Sequence, residues 1–422
     1  MGQRIDPARR AAHQVLCAVT EGGQLMAEAL PGAVAKLKPA ERARAQRLAT
    51  VTFRWMDRAD RMLGPYLRQR PPDATLNALR LGCVEICHLQ EAPYGVVDAL
   101  VSLVTVVPAA RRTSGLVNAL LRSVARDKDK WADLPVPRAP KWLRKKLIAA
   151  YGKDVVASIE LAHCAGAPLD LSAKSDPAQV AALVGGQVVP SGSVRVDGPV
   201  EVTKLAGFST GDWWVQDAAA ALPARLLAAQ KGERILDLCA APGGKTMQMA
   251  ARGAQVTALD DAPARMARLA ENMARTGLTC TPVVADALSY RADPFDAVLV
   301  DAPCSATGTI RRHPELPYAK SPASIEPLIG LQAKMLDHAR HLVKAGGRMV
   351  FCTCSLLPEE GEAQIHAFVE RHKDWTVDVA GLQSSGVDPT WIGQMGVRVR
   401  PDYWQDIGGL DGFFISLLRK SA

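Results

Sequence analysis

Apolar residues recur at helical spacing from residue 4 to about residue 128, and prolines punctuate the runs. In the first run, 8–20, Ala12, Val15, Leu16 and Val19 share one face, and the Asp6-Pro7 pair before them has the chemistry of a cap and a first turn. Runs 39–64, 75–89, 96–107 and 111–125 repeat the pattern, separated by Pro71-Pro72, Pro93 and Pro108. They predict an all-α bundle of about five to seven helices over residues 1–130. Residues 129–140, with Pro135, Pro137 and Pro140, read as a linker, and 141–163 returns to helix. Between 167 and 208 short alternations such as Gln187-Val188-Val189 and Val194-Arg195-Val196 stand among Gly, Ser and Pro. Residues 131–210 are therefore expected to be a linker and a small α+β module.

The pattern then changes. After Gly211–Asp217 and a helix over 218–229, strand candidates (234–238, 255–259, 281–285, 297–300, 348–353) alternate with helices (245–251, 263–276, 324–343, 359–371). Two late strands, 397–400 and 412–418, follow. This order predicts a Rossmann-like α/β domain over 211–422, with a doubly wound, mostly parallel sheet that binds ligands at its strand C-termini. Asp237, Asp260, Asp286 and Asp301 stand at four of those tips.

Charge divides the chain at nearly the same place. The net charge is +8, yet residues 1–150 carry 25 Lys and Arg against 13 Asp and Glu, a net of +12, and the remainder carries 26 against 30. A basic domain in front of a mildly acidic one points to a polyanion gripped by the first and processed by the second. With 422 residues, 48% hydrophobic, a large core is affordable, and no apolar run approaches the ~20 residues that cross a bilayer. The nine cysteines (17, 83, 87, 164, 239, 280, 304, 352 and 354) form no regular framework, and no secretory core follows Met1. Reduced thiols in a cytoplasmic, monomeric protein without membrane or metal partners are expected. Cys83 and Cys87, at i and i+4 on an apolar face, lack a second ligand pair and read as core thiols.

Candidate chemistry begins at Ile235–Thr246, where a strand runs into Cys239-Ala240-Ala241-Pro242-Gly243-Gly244-Lys245 and a helix start. Glycines there let backbone approach a ligand closely, and the helix N-terminus offers free N–H groups. Asp260 ends the next strand at about the offset of a ribose-binding carboxylate. Neither the dinucleotide G-x-G-x-x-G nor the phosphate-loop spacing is present, so a nucleoside without a polyphosphate is favoured, and S-adenosylmethionine fits. After the fourth strand comes Asp301-Ala302-Pro303-Cys304-Ser305, and after the fifth Cys352-Thr353-Cys354-Ser355. Winding of this kind makes those tips neighbours, so Cys304 and Cys354 should share a cleft. Carbon 5 of a pyrimidine is a poor nucleophile until a thiolate adds to carbon 6. Asp301 is placed to stabilise such an adduct, and a second thiol has a use in its release. Spacing alone leaves open which sulfur does which.

From Trp214 onward the chain resembles the RsmB/NOP family of RNA cytosine-5 methyltransferases. Cys239 to Lys245, Leu259-Asp260, Asp286, Asp301 to Gly308, Arg311 to Glu315, Thr353-Cys354-Ser355 and Pro358-Glu359-Glu360 carry that likeness. Residues 9–19, Asp98 to Val101 and Gly115 to Arg122 resemble the NusB-like RNA-binding domain. The resemblance implies a cytosine of small-subunit (16S) ribosomal RNA as substrate and S-adenosylmethionine as donor. It implies that Cys354 attacks carbon 6, Cys304 assists release and Asp301 contacts the base. It carries cofactor contacts over to Cys239, Ala240, Ala241, Pro242, Gly243, Gly244, Lys245, Asp260, Asp286 and Asp301. Arg311 and Arg312 are then expected on phosphates, and His313 in a structural or RNA-positioning role. Ala285, where relatives usually have Gly, and Leu171-Ser172-Ala173-Lys174, where relatives tend toward Arg-Val-Asn, depart from the pattern.

Overall fold

A computed structural model of the chain describes residues 5–198, 200–383 and 387–422; Arg4, the first residue of the expected helical region, lies outside them. Contacts group the chain into two units, one of Met1–Ala165 with Ile310–Ser321, the other of Gly166–Thr309 with Pro322–Ala422.

The first unit is helical. Helices Pro7–Thr20, Met26–Val34, Pro39–Leu63, Asp73–Cys87, Pro93–Val106 and Ser114–Arg126 bury Leu16, Phe53, Met56, Leu79, Leu100 and Leu121. Asp6 caps the first helix by accepting from the N–H groups of Ala8 and Arg9 at 3.0 and 3.1 Å. Met26–Val34 has no counterpart in the sequence reading, because Pro31 and Gly32 interrupt its apolar period. The expected helix over 141–163 is two helices, Lys141–Tyr151 and Lys153–Ala165, broken at Gly152. Several cations of this basic region are spent internally. Arg9 reaches Glu85 at 2.7 Å in the interior, Arg80 pairs with Asp60 at 2.7 Å, and Arg144 pairs with Glu160 at 2.9 Å. Cys83 and Cys87 are buried in the same core.

The second unit holds two sheets. Strands β1 (Leu169–Ala173), β2 (Gln187–Val188), β3 (Val194–Val196) and β4 (Trp213–Val215) form an antiparallel sheet ordered β2-β3-β1-β4. Three residues are too few to show alternation, so β4 read as a lead-in to the next helix. The larger sheet contains β5 (Arg234–Leu238), β6 (Gln255–Asp260), β7 (Thr281–Val284), β8 (Phe295–Asp301), β9 (Val343–Thr353), β10 (Trp375–Val377), β11 (Ile392–Gly393), β12 (Gly396–Val399) and β13 (Phe413–Lys420). Its order is β11-β12-β13-β9-β8-β5-β6-β7, with β10 on β13. Strands β5 to β9 are parallel, and β13 returns antiparallel to β9. Helices Gly244–Ala251, Pro263–Thr276, Pro322–Ala339 and Glu362–Arg371 make the crossovers. The doubly wound, mostly parallel architecture anticipated from the alternation is present. Among the described residues no helix is long and apolar enough to cross a membrane.

Candidate active site

The loop after β5, Cys239 to Lys245, takes its shape from backbone contacts. Ala240 N–H donates to Leu259 C=O at 3.0 Å and Gly243 N–H to Ala240 C=O at 2.8 Å. Cys239 and Gly243 lie at φ 61° and 100°, in the left-handed region. A Cβ at Gly243 would come within 3.0 Å of the Leu269 side chain, so the glycine is required both by conformation and by space. Helix Gly244–Ala251 starts directly behind it and presents its unpaired N–H groups to the loop. Burial, reinforced by the charges of Asp301 and Asp260, pushes the Cys239 thiol up to about 12, which suits a passive wall.

Three carboxylates surround this loop. Asp237 is buried, and its Oδ2 accepts from Thr246 Oγ1 at 2.6 Å. Its Oδ1 has no hydrogen-bond partner among the described residues. Burial pushes this carboxyl up to about 7 against the opposing hydrogen bond from Thr246 and the charge of Lys245. Asp260, buried at the tip of β6, accepts from Ala241 N–H at 3.3 Å and Ala262 N–H at 3.0 Å and pairs with Arg265 at 2.8 Å. Asp286 is exposed and accepts from Leu288 N–H at 2.9 Å, while Ala285 N–H donates to Asp260 C=O at 3.2 Å and draws that turn alongside β6. A buried acceptor without a donor, a turn that admits close approach and a second buried carboxylate fit a ligand bearing amine and hydroxyl donors.

Asp301 ends β8, and its Oδ2 accepts from Lys245 Nζ at 2.7 Å. Burial opposes the charged form of Lys245, but the neighbouring Asp301 carboxylate outweighs it and the amine is held above its ordinary range. Oδ1 of Asp301 receives the Cys352 thiol at 3.4 Å. The pairing of Asp301 opposite Cys352 in β8 and β9 is what puts this thiol on the carboxylate.

The two thiols singled out from the sequence meet. Cys304 Sγ and Cys354 Sγ are 3.4 Å apart, both half-buried. The hydrogen bond with Cys354, burial and the charges of Cys354 and Glu360 all push the Cys304 thiol well above its ordinary range, so Cys304 keeps its proton and can donate it to the Cys354 sulfur.

A buried carboxylate, Glu360, fastens both thiol loops. It accepts from Ser305 N–H at 2.9 Å, from the Ser305 hydroxyl, from Ser355 Oγ at 2.6 Å and from Gln332 Nε2 at 3.1 Å. Thr307 and Ser355 hydroxyls complete the knot, with Thr307 Oγ1 accepting from Leu356 N–H at 3.0 Å. Gly308 N–H donates to Cys354 C=O at 2.9 Å, and a Cβ on Gly308 would sit 1.9 Å from the Gly412 carbonyl, so the start of β13 closes over the same loop. Sequence reasoning quoted Glu360 within a motif without giving it a task; four donors converging on it are visible only in three dimensions. Arg311, expected on phosphate, is instead buried in the helical unit, where its carbonyl accepts from Arg54 at 2.8 Å. His313 lies 3.8 Å from Glu315 in the same unit.

Known proteins resemble this chain in sequence and in fold. Residues 224–419 match the family described as 16S rRNA methyltransferase RsmB/F, and residues 6–126 match the NusB family. Ribosomal RNA small subunit methyltransferase B of Xanthomonas campestris is 34% identical over 98% of this chain and 97% of its own length. The protein of that name from Pseudomonas syringae is 33% identical over 98% of this chain and 97% of its own length. The crystal structure of PH0851, 23% identical, superposes over 99% of both chains with a TM-score of 0.77, a likeness of fold.

Proposed function

Because the chain belongs to the RsmB/F family of 16S rRNA methyltransferases, with a NusB-family helical domain in front, we infer that it methylates carbon 5 of a cytosine in 16S ribosomal RNA through a covalent adduct. The observation that carries this reading is the 3.4 Å approach of Cys304 and Cys354, one strand away from the Asp301–Lys245 pair. Methylation of an amino group or of a protein has no use for two facing thiols.

In this reading Cys354 adds to carbon 6, and the Cys304 S–H steadies its sulfur before attack. As the carbon–sulfur bond forms, the proton leaving Cys354 is balanced by one taken up at ring nitrogen 3. The Asp301 carboxylate, fixed by Lys245, accepts the resulting N–H. S-adenosylmethionine, when bound, supplies an electrophilic methyl group. Asp260 is assigned to its ribose hydroxyls, and Cys239 to Lys245, Asp237 and Asp286 to the rest of its contacts, consistent with the orphaned acceptor on Asp237. Release needs loss of the carbon 5 proton and return of the carbon–sulfur electron pair to Cys354, a step that Cys304 assists. The working partition is an RNA-holding domain over 1–130, a linker and small module over 131–210 and a catalytic domain over 211–422. The chain would act as a cytoplasmic monomer, on a base lying in a loop or flipped out of its stack.

A 16S RNA fragment carrying 5-fluorocytosine tests this. Wild type should give a denaturant-stable protein–RNA adduct, Cys354→Ala none and no methyl transfer, and Cys304→Ala should accumulate adduct on unmodified RNA. Full turnover by Cys354→Ala would remove the nucleophile from the scheme. Methyl transfer without any trapped adduct would mark an amino-directed enzyme, and tight RNA binding without cofactor affinity a non-catalytic assembly factor.

A further inference from the structure

Away from the thiols, a cleft of about 650 Å³ opens in the second unit between the small sheet and the helices Leu222–Leu227 and Gly244–Ala251. Lys174, Ser191, Gly192, Arg225, Gln248 and Arg252 contribute to its wall, and among the described residues no Asp or Glu does. Helix Gly244–Ala251 leads back to the start of β6, so Arg252 lies at the N-terminal edge of the parallel strands. The ligand loop and both thiols lie at their C-terminal tips, at the other end of helix Gly244–Ala251 from Arg252. The cleft is a separate site.

We propose that this cleft is a phosphate subsite that receives a backbone phosphodiester of the RNA substrate; the inference rests on the RNA reading above. Several sheltered arginines of the same unit are fastened within the protein. Arg195 is bidentate on Asp170 at 2.7 and 2.8 Å, Arg348 meets Glu233 at 2.6 Å, Arg398 is held by Glu362, and Arg275 donates to the Phe208 and Trp213 carbonyls at 2.9 and 3.1 Å. Arg225 has neither kind of partner among the described residues. It is half-buried with its guanidinium against Gly192, and among the described residues it makes one long hydrogen bond, 3.4 Å to Ser193 Oγ, and no ion pair. Arg252 faces the same cleft without a carboxylate partner among the described residues.

A half-buried guanidinium with no counter-charge among the described residues is costly unless an anion joins it, and the exposed Arg252 beside it adds like charge. The electrostatics agree: burial, then the charge of Arg252, lowers Arg225 to about 10. A third observation points to a ligand. Ser191 in the wall is only 2% exposed, yet its hydroxyl has no hydrogen-bond partner among the described residues. Guanidinium forks with a nearby hydroxyl donor match the oxygens of a phosphodiester. The same chemistry would accept free phosphate or a small phosphorylated ligand, and the test separates these sources.

Full-length wild type, Arg225→Gln and Arg252→Gln are titrated with a 16S RNA fragment across a range of KCl, with thermal melts as the control for folding. Each substitution should flatten the slope of log affinity against log salt by about 1 and raise the KM for RNA with kcat unchanged. Unchanged slope and affinity in both variants would overturn the proposal; the exposed Arg252 keeps it testable if Arg225→Gln folds poorly. Should wild type bind no RNA, the RNA reading fails on its own. Inorganic pyrophosphate then decides the site, since stabilisation lost in Arg225→Gln upholds a small-anion subsite and no stabilisation of wild type overturns it.

Discussion

The loop from Cys239 to Lys245 and the thiol pair lie at neighbouring strand tips, yet they are built by opposite means. Cys239 to Lys245 is contiguous, and its form follows from a left-handed glycine, backbone hydrogen bonds and the helix start behind it. The thiol pair joins residues fifty positions apart, and what holds them is a set of side chains converging on one buried carboxylate. A site made of backbone is sensitive to volume and conformation at one position. A site made of side chains is sensitive to the loss of a single acceptor.

The sharpest way to break this contrast is Glu360→Ala. Removing the acceptor leaves the Ser305 N–H unpaired and takes one partner each from two hydroxyls and the Gln332 amide, which keeps the Pro303 carbonyl, at a cost of roughly 3 kcal/mol. Urea unfolding of the second unit should show that loss, and adduct formation should fall while calorimetric cofactor affinity in the surviving folded protein stays near wild type. Equal loss of both would mean that the two sites are not independently built.

Asp237→Asn probes the cofactor side next. Burial raises the carboxyl to about 7 in the folded protein, well above the ordinary carboxylate value of about 4. The folded protein therefore binds the extra proton between those pH values, and this group's contribution to stability is fully present below pH ~4 and lost as pH rises through 7. Asn stays neutral, so the variant should lose that slope and gain on the order of 3 kcal/mol relative to wild type at pH 8. Its cofactor affinity should drop. Melting curves at pH 5 and pH 8 check the first claim and calorimetry the second; parallel pH profiles for both proteins would remove Asp237 as the titrating group.

Gly243→Ala should have the smallest effect on stability. The positive φ and the 3.0 Å approach to Leu269 cost about 1–2 kcal/mol, read as a lowered urea midpoint, with cofactor binding weakened only as far as the loop shifts. Thiol trapping at saturating cofactor should be unchanged. If trapping falls as well, the loop and the thiols share more support than their hydrogen bonds indicate.

What the amino-acid order determined by itself was everything carried by local period. Strand β5 and helix Pro263–Thr276 have the limits expected from their apolar spacing, because each is long enough for the pattern to repeat. Strands β10 and β11 escaped notice, since two or three residues hold no period. The parallel winding was legible too, and it implied that Cys304 and Cys354 would be neighbours. Only the tertiary structure could decide that Cys352 sits on Asp301, that Glu360 ties both loops, that Arg311 is buried and that Arg225 has no carboxylate among the described residues. The physical reason is the same in each case: burial and charge pairing depend on which strands become neighbours and which side chains face each other across them. No spacing along the chain encodes that.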